Sequence, residues 1–415
     1  MQAVLAIPGS ETLRQYGAPE KVLMRKVAGV PLLTRVMATA ARADVDSILV
    51  IWPSDISPLL LNSRVPPAAL GGVQLNHMVL ATAFDPWRAS DWAAIGGRLE
   101  SRFFWVPWNW VTHKRSLAGL LPSAARPVNW DRPELLERFA VLDNSRFRMS
   151  PGCQTSGVSV TYCSTVRIAE RFLVANAGKP TDGVYSKFNR LLCRPFVRLL
   201  AHTRATPNAI TIAGLVVAIF GALMFARGSY INYVAGALLF FASGLIDEMD
   251  GMIARIKFQE SPFGTWFEGF VDNITYLATF AGIIVGLHRE YGSFAWKFGF
   301  ALIVGCVLSV GVIAAQRKLA TARNRPHEYA GRMNQLMDAD SSNLISRIAR
   351  QVHVFVKKGV LVHYLLLFTL LGRLHMFLWL AAIGSNLTWI MALYFTRRFF
   401  QRPGISAPGD IPTAA

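Results

Sequence analysis

At 415 residues, 53% of them hydrophobic and 16% charged, the chain is long enough for two or three domains, and its apolar windows put one of them in a membrane. A net charge of +18 with a pI near 10.2 would suit a nucleic-acid binder. Most of the basic excess instead flanks apolar segments, where Lys and Arg meet anionic headgroups and set topology, and no aromatic-basic motif accompanies it, so no nucleic acid is expected as a partner. The four cysteines, Cys153, Cys163, Cys193 and Cys306, form no CxxC pair and no metal-finger spacing and read as reduced thiols.

The opening text MQAVLAIPGSETLRQ has no basic stretch before its short apolar run, which argues against a signal peptide and for a cytoplasmic first domain. Ala3 to Ile7 and Ser47 to Trp52 are short apolar runs with a helix-like segment, Leu32 to Ala43, between them. That order predicts a βαβ unit and a parallel sheet, with Phe103 to Val106 as a further buried strand. The text AVLAIPGSETLRQYGAPEKVLMRKVAGVPLLTRV, with Gly9, Arg14, Lys21 and Gly29-Val30-Pro31-Leu32-Leu33, resembles the opening of the sugar nucleotidyltransferases. That chemistry needs a glycine loop against a triphosphate and a carboxylate on magnesium. Here the loop is thinned to GSETLR, Glu20 interrupts the Pro-Lys pair, and Pro107-Trp108-Asn109-Trp110 follows the third strand where the family places its acid. The resemblance therefore implies a nucleotidyltransferase-like domain over residues 1–178 that is inactive.

Residues 179–206 read as a linker with an interfacial helix. From Ser186 to Leu200 the basic Lys187, Arg190, Arg194 and Arg198 recur at helical steps among Phe188, Leu191, Leu192, Leu199 and Leu200, with Pro195 kinking or dividing the helix. Six spans are counted from the uncharged windows that follow: Ala209–Ala226, Tyr230–Ile246, Ile274–Leu287 extended back through Thr265, Phe298–Ala315, Gly359–Gly372 and Met376–Thr396. The fifth is short and needs Lys357 and Lys358 to snorkel. Basic residues concentrate in the segments on one side of these spans, whereas the other side has only Arg227, Arg289, Lys297 and Arg373. The positive-inside rule then puts the first domain, the 256–263 loop and the C-terminus in the cytoplasm, the spans in residues 207–402 and a tail in 403–415.

Between the second and third spans, the text DEMDGMIARIKFQESPFGTWFEGFVD places four acids, Asp247, Asp250, Glu268 and Asp272, in membrane helices. Each costs roughly 2.5 to 3.5 kcal/mol there on insertion scales, which calls for a compensating cation. Asp247, Asp250, Gly251, Ala254 and Arg255 fall on one helix face, as do Gly264, Glu268 and Asp272. Oxygen-only ligands favour Mg2+ or Mn2+, the small residues leave room for a close ligand, and Arg255 suits a diphosphate.

This text resembles the CDP-alcohol phosphotransferase signature, D-x2-D-G-x2-A-R-x8-G-x3-D-x3-D, with every spacing kept and Glu268 in place of one Asp. Pro207-Asn208-Ala209-Ile210-Thr211 resembles the family's Pro-Asn-x-x-Thr start to its first span. KPTDGVYSKFNR resembles the junction of fused proteins, among them bifunctional inositol-phosphate cytidylyltransferase/di-inositol-phosphate-phosphate synthases. The resemblance implies an α/β soluble N-terminal domain with a parallel sheet, plus an all-α six-helix transmembrane domain. It implies a multi-pass protein of the cytoplasmic membrane, a homodimer, with both termini cytoplasmic. The implied reaction transfers a phosphate-linked group from a CDP-alcohol such as CDP-diacylglycerol to a polyol or polyol-phosphate acceptor and releases CMP. On that pattern Asp247, Asp250, Glu268 and Asp272 bind two metal ions, Asp272 is the general base, and Gly251, Ala254, Arg255 and Gly264 cradle the CMP moiety. Arg317 is the candidate for an acceptor phosphate, ahead of Lys357 and Lys358, and His202, His363 and His375 read as structural. A soluble CDP-inositol donor, a scaffold disabled at Glu268 and an ion relay through the acids are the competing readings.

Overall fold

The structure is a computed structural model that describes residues 2–43, 45–58, 67–85, 88–100, 103–114, 117, 157–179, 183–320, 333, 335–336 and 358–400. It divides into two compact units. The first holds residues 1–178, 194–206 and 251–260, and the second holds 179–193, 207–250 and 261–415.

In the first unit the chain runs β1 (Gln2–Ala6), α1 (Ser10–Arg14), α2 (Pro19–Leu23), β2 (Lys26–Val27), β3 (Val30–Pro31), α3 (Leu32–Ala41) and β4 (Ser47–Pro53). It continues through α4 (Pro67–Leu70), β5 (Gln74–Leu80), α5 (Ala89–Ile95), β6 (Phe103–Trp105), β7 (Trp110–Val111), β8 (Val158–Ser159) and α6 (Cys163–Ala175). The main sheet has the order β5-β4-β1-β6 and is parallel throughout, with Val4 opposite Leu49 and Trp105. The expected βαβ unit is thus present as β1, α3 and β4. Every residue of β1 and β4 is buried, as an apolar run in a covered parallel sheet should be. On one face Phe84, Trp92, Phe103 and Trp105 form an aromatic cluster with ring centroids 5.0 to 5.7 Å apart. In sequence order the strands lie third, second, first, fourth, so the order reverses between β1 and β6, where open parallel sheets place their ligand crevice.

The β2–β3 ribbon turns through Ala28 and Gly29, both at positive φ (48° and 79°), as a two-residue hairpin turn requires. Gly29 can carry no side chain, because a Cβ there would stand 2.2 Å from the Ala201 carbonyl oxygen. The strained Ala28 is compensated by its N–H, which donates to Glu170 Oε1 at 2.9 Å.

The remaining helices are α7 (Val184–Ala201), α8 (Pro207–Arg227), α9 (Tyr230–Lys257), α10 (Pro262–Tyr291), α11 (Ser293–Ala320), α12 (Lys358–Leu370) and α13 (Leu374–Phe400). Helix α7 is continuous through Pro195, so the proline does not divide it. Among the described residues five helices, α8 to α11 and α13, are long and apolar enough to cross a membrane, as befits a multi-pass membrane protein. The fifth expected span, Gly359–Gly372, appears as α12, 13 residues long and too short to be counted with those five.

Within the second unit α10 lies against α8 through Gly282 and Gly286. A Cβ on either would come within 2.3 Å of the Ala222 or Phe225 carbonyl oxygen, so this small-xxx-small spacing permits backbone contact. Helices α11 and α13 are joined by polar contacts: Ser309 donates to the Ser385 carbonyl at 2.8 Å and Asn386 to that of Ala301 at 2.9 Å. Phe225, Phe240, Ile283, Leu365 and Leu378 fill the interior, and exposed Ile212, Val216, Phe300, Val307 and Ile383 suit a lipid-facing surface.

Candidate active site

Helix α8 begins at Pro207, whose missing N–H is of no consequence at a first helical position. One turn later Thr211, 6% exposed, donates its hydroxyl to Asp250 Oδ2 on α9. Asp250 is 3% exposed, and a carboxylate that deep requires such a donor. Asp247 lies three residues earlier on the same face of α9, and Glu268 projects from the second turn of α10. Asp247, Asp250 and Glu268 each bring a carboxylate oxygen within 4.8 Å of the others. If all are ionised, each such pair repels by about 3 to 4 kcal/mol at an effective dielectric of about 20. An oxygen-only set converging in this way fits a hard divalent cation, and the half-buried Asp247 and Glu268 leave one side open to further ligands.

Asp272, one helical turn beyond Glu268, is not a member of this close trio. It shares with Asp247 the wall of a cavity of about 30 Å³, together with Thr211, Ser243, Thr275 and Tyr276. The spacing that set Asp272 beside Glu268 in the sequence therefore leaves it near the cluster in a separate position.

The other predicted residues divide by location. On the last two turns of α9, Gly251 lies under Arg255. A Cβ at 251 would stand 3.3 Å from the Arg255 guanidinium, so the glycine makes room for the arginine. Arg255 Nε donates to the Ala177 carbonyl at 2.5 Å, and the Ala254 carbonyl accepts from the Gln259 N–H at 2.8 Å. At the start of α10 the Gly264 N–H donates to the capping Ser261 Oγ at 2.9 Å, and a Cβ at 264 would crowd that oxygen at 3.1 Å. Arg317 is exposed near the end of α11 and is not part of the cavity wall. Lys357 lies outside the described residues, as does the Lys358 side chain. His363 packs against Tyr185 and Phe241, His375 against Tyr291, and His202 stands 3.3 Å from Glu170.

Two features escaped the sequence reading. Arg190, read as part of the interfacial basic stripe, is 9% exposed and donates its Nε to Glu248 Oε2 at 3.0 Å. The available signal was its place beside Asn189 and Cys193 on the buried face of α7. The second is Phe258, just beyond α9, whose φ is +59°.

Adjacent membrane helices that bring carboxylates together, behind a Pro-Asn-x-x-Thr helix start, define an integral-membrane domain with a candidate metal site. Residues 204–394 match the CDP-alcohol phosphatidyltransferase family. The chain is 24% identical over 231 residues, 55% of its length and 48% of the relative's, to the bifunctional IPC transferase and DIPP synthase of Aquifex aeolicus. It is 35% identical over 98 residues, 23% of its length and 49% of the relative's, to the archaetidylinositol phosphate synthase of Methanothermobacter thermautotrophicus. The chain thus spans about half the length of the curated relatives it matches. Among solved structures it is similar to the Mycobacterium tuberculosis phosphatidylinositol phosphate synthase with CDP-DAG bound, at a TM-score of 0.35 and 19% identity, covering 56% of this chain and 98% of that one.

Proposed function

We propose that the membrane domain, residues 207–402, transfers a phosphate-linked alcohol group, of phosphatidyl type, from a CDP-alcohol to the hydroxyl of a polyol or polyol phosphate, with release of CMP. The observation that carries this reading is the convergence of Asp247, Asp250 and Glu268 within 4.8 Å, from the two helices that bear the family's signature. Thr211 orients Asp250 through its hydroxyl.

Mg2+ or Mn2+, as one or two ions held by Asp247, Asp250 and Glu268 and touching Asp272, would neutralise the donor diphosphate and the departing CMP. Asp272 takes the proton of the acceptor hydroxyl as its oxygen attacks the phosphorus bearing the alcohol. The bond from that phosphorus to the CMP oxygen breaks, and CMP leaves with the electron pair. Its place outside the close trio favours Asp272 as the base over a primarily ligating role. Glu268 supplies the carboxylate that the signature assigns to Asp, which favours an active site over a scaffold. Gly251, Ala254, Arg255 and Gly264 are assigned to the CMP moiety, and Arg317 to an acceptor phosphate. The α/β domain is assigned no nucleotidyl transfer: the Ser10 N–H at the start of α1 already donates to Asp55 Oδ2 at 2.8 Å, so a protein carboxylate takes a loop amide that a nucleotide phosphate would need. The acidic site is assigned to the cytoplasmic face, and the assembly to a homodimer.

The name of the Aquifex relative supports one second reading, a soluble CDP-inositol donor giving a phosphodiester of inositol phosphate. The test is CMP release by the purified full-length protein in nanodiscs, with CDP-diacylglycerol or CDP-inositol as donor, polyols or their phosphates as acceptor, and Mg2+, Mn2+ or EDTA. Metal-dependent CMP release from CDP-diacylglycerol is expected. Release from CDP-inositol alone selects the second reading, and no release from either, in every metal, defeats both.

A further inference from the structure

The end of α9 has a costly conformation. Phe258 occupies the left-handed region, φ +59°, at the position after a helix that glycine ordinarily fills. The Gln259 N–H reaches back to the Ala254 carbonyl at 2.8 Å and closes the helix there. Backbone strain of this kind persists where the surroundings over-determine it, and such places concentrate at functional sites.

The first unit supplies those surroundings. Two guanidinium groups stand over the Phe258 ring, with Arg35 Cζ 5.2 Å and Arg42 Cζ 5.0 Å from its centroid. Arg42 also donates to the Phe258 carbonyl at 2.9 Å and to Glu260 Oε2 at 2.6 Å, with Lys114 4.0 Å from the same carboxylate oxygen. Arg35 is 1% exposed and is fixed by two donations to the Val27 carbonyl, at 3.1 and 2.8 Å. Burial lowers its pKa to about 9, which leaves it cationic at neutral pH. Lys257 Nζ donates to the carbonyls of Leu200, Thr203 and Ala205 at 3.2, 2.8 and 3.0 Å, and Arg255 to that of Ala177. Residues 255–260 are therefore gripped at four side chains, two of them by the α/β fold's own arginines. In the sequence this segment directly links Asp247 and Asp250 to the helix that carries Glu268.

We propose that the α/β domain is a positioning domain for the carboxylate cluster, with Phe258, Arg35 and Arg42 as positioning residues that fix the end of α9 and so the register of Asp247 and Asp250 against Glu268. This gives the domain a function that needs no nucleotidyl transfer, and it rests on the reading of the cluster as a divalent-cation site. Only residues 258–261 separate α9 from α10, so the conformation of this turn sets the direction in which the helix bearing Glu268 follows the helix bearing Asp247 and Asp250.

The test uses the full-length protein in nanodiscs and measures Mn2+ binding directly, from loss of the free-ion EPR signal, beside CMP release. Phe258→Gly, which removes the ring and its contacts with both arginines while accepting the positive φ, and Arg42→Ala are expected to weaken Mn2+ binding about tenfold and to raise the Mn2+ needed for half-maximal CMP release by the same factor. Phe258→Tyr, which keeps the ring, is expected to bind as the parent does. If both disruptive variants bind Mn2+ within twofold of the parent, the proposal is overturned, even where their thermal stability falls, because a merely structural contact would give that result. Should Phe258→Gly fail to fold, Arg42→Ala decides alone. Asp250→Asn separates the two levels. If it abolishes Mn2+ binding while the clamp variants leave it intact, only the positioning role fails. If it too binds normally, the metal reading fails and takes the positioning role with it.

Discussion

Carboxylates are used in opposite ways in the two units. In the α/β unit they are turned toward the protein's own donors: Asp55 accepts the Ser10 N–H, Glu170 that of Ala28, and Asp91 that of Asp85. The hydrogen bonds from Ser10 hold the Asp55 carboxyl below the usual carboxylate range. In the helical unit Asp247, Asp250 and Glu268 are turned toward one another, in helices where each is expensive. An acid satisfied by an amide serves the fold and asks nothing of a ligand. Acids that converge raise one another's cost, and selection keeps such an arrangement only where something positive is brought to it. The contrast is between acids that hold the fold and acids that converge, and the proposed function rests on the second kind.

Removing one converging acid breaks the contrast most. Asp250→Asn is expected to reduce CMP release by about 10³-fold or more, with direct Mn2+ binding lost in parallel. Asp272→Asn sharpens it: a reduction of about 10²- to 10⁴-fold with Mn2+ binding retained would mark the base, whereas loss of binding would make Asp272 a ligand first. Thr211→Val, which takes the hydroxyl from Asp250, is expected to cost about 10- to 100-fold in metal affinity, and an unchanged affinity would remove Thr211 from the site.

The Arg190–Glu248 pair tests the contrast from the opposite direction, because it is an acid of the helical unit satisfied by the protein itself. Its side chains are 10% and 17% exposed. Arg190→Ala leaves Glu248 buried beside α7 and is expected to destabilise by about 3 to 5 kcal/mol, read as a lower thermal unfolding temperature. The double change to Arg190→Met with Glu248→Leu should recover most of that loss. A double variant as unstable as the single one would show that the pair contributes more than mutual neutralisation.

What the sequence revealed followed from local pattern. The four acids stood out because steps of three and four put them on helix faces, and β1 and β4 because a strand buried on both faces is an unbroken apolar run. Strand β5, QLNHMVL, was missed because it lies at the sheet edge, where mixed polarity is tolerated. The donation from Thr211 to Asp250, the Arg190–Glu248 pair and the clamp on Phe258 join residues 39, 58 and more than 200 positions apart, and no periodicity encodes such pairings. The short fifth window also had no local resolution: its length was evident, and α12 is correspondingly brief.

The smallest expected effect belongs to the α/β unit alone. Trp52, fully buried, donates its indole N–H to His77 Nδ1 at 3.0 Å, so the imidazole is neutral with its proton on Nε2. Burial holds the His77 pKa below its ordinary value. The folded pKa therefore lies below the unfolded value of about 6.5, and the unfolded chain takes up its proton first as pH falls. The stabilisation is complete above about pH 6.5 and is lost as the pH drops through the lower, folded pKa, because a proton on Nδ1 breaks the bond to Trp52. Unfolding followed by tryptophan fluorescence should show the α/β unit weakening between pH 7.5 and 5. In His77→Gln, whose amide oxygen can accept from Trp52 without titrating, that part of the slope should vanish. An unchanged slope would assign the acid sensitivity to the carboxylates on backbone amides, Asp55 first among them, and would make those acids the groups on which this unit's stability turns.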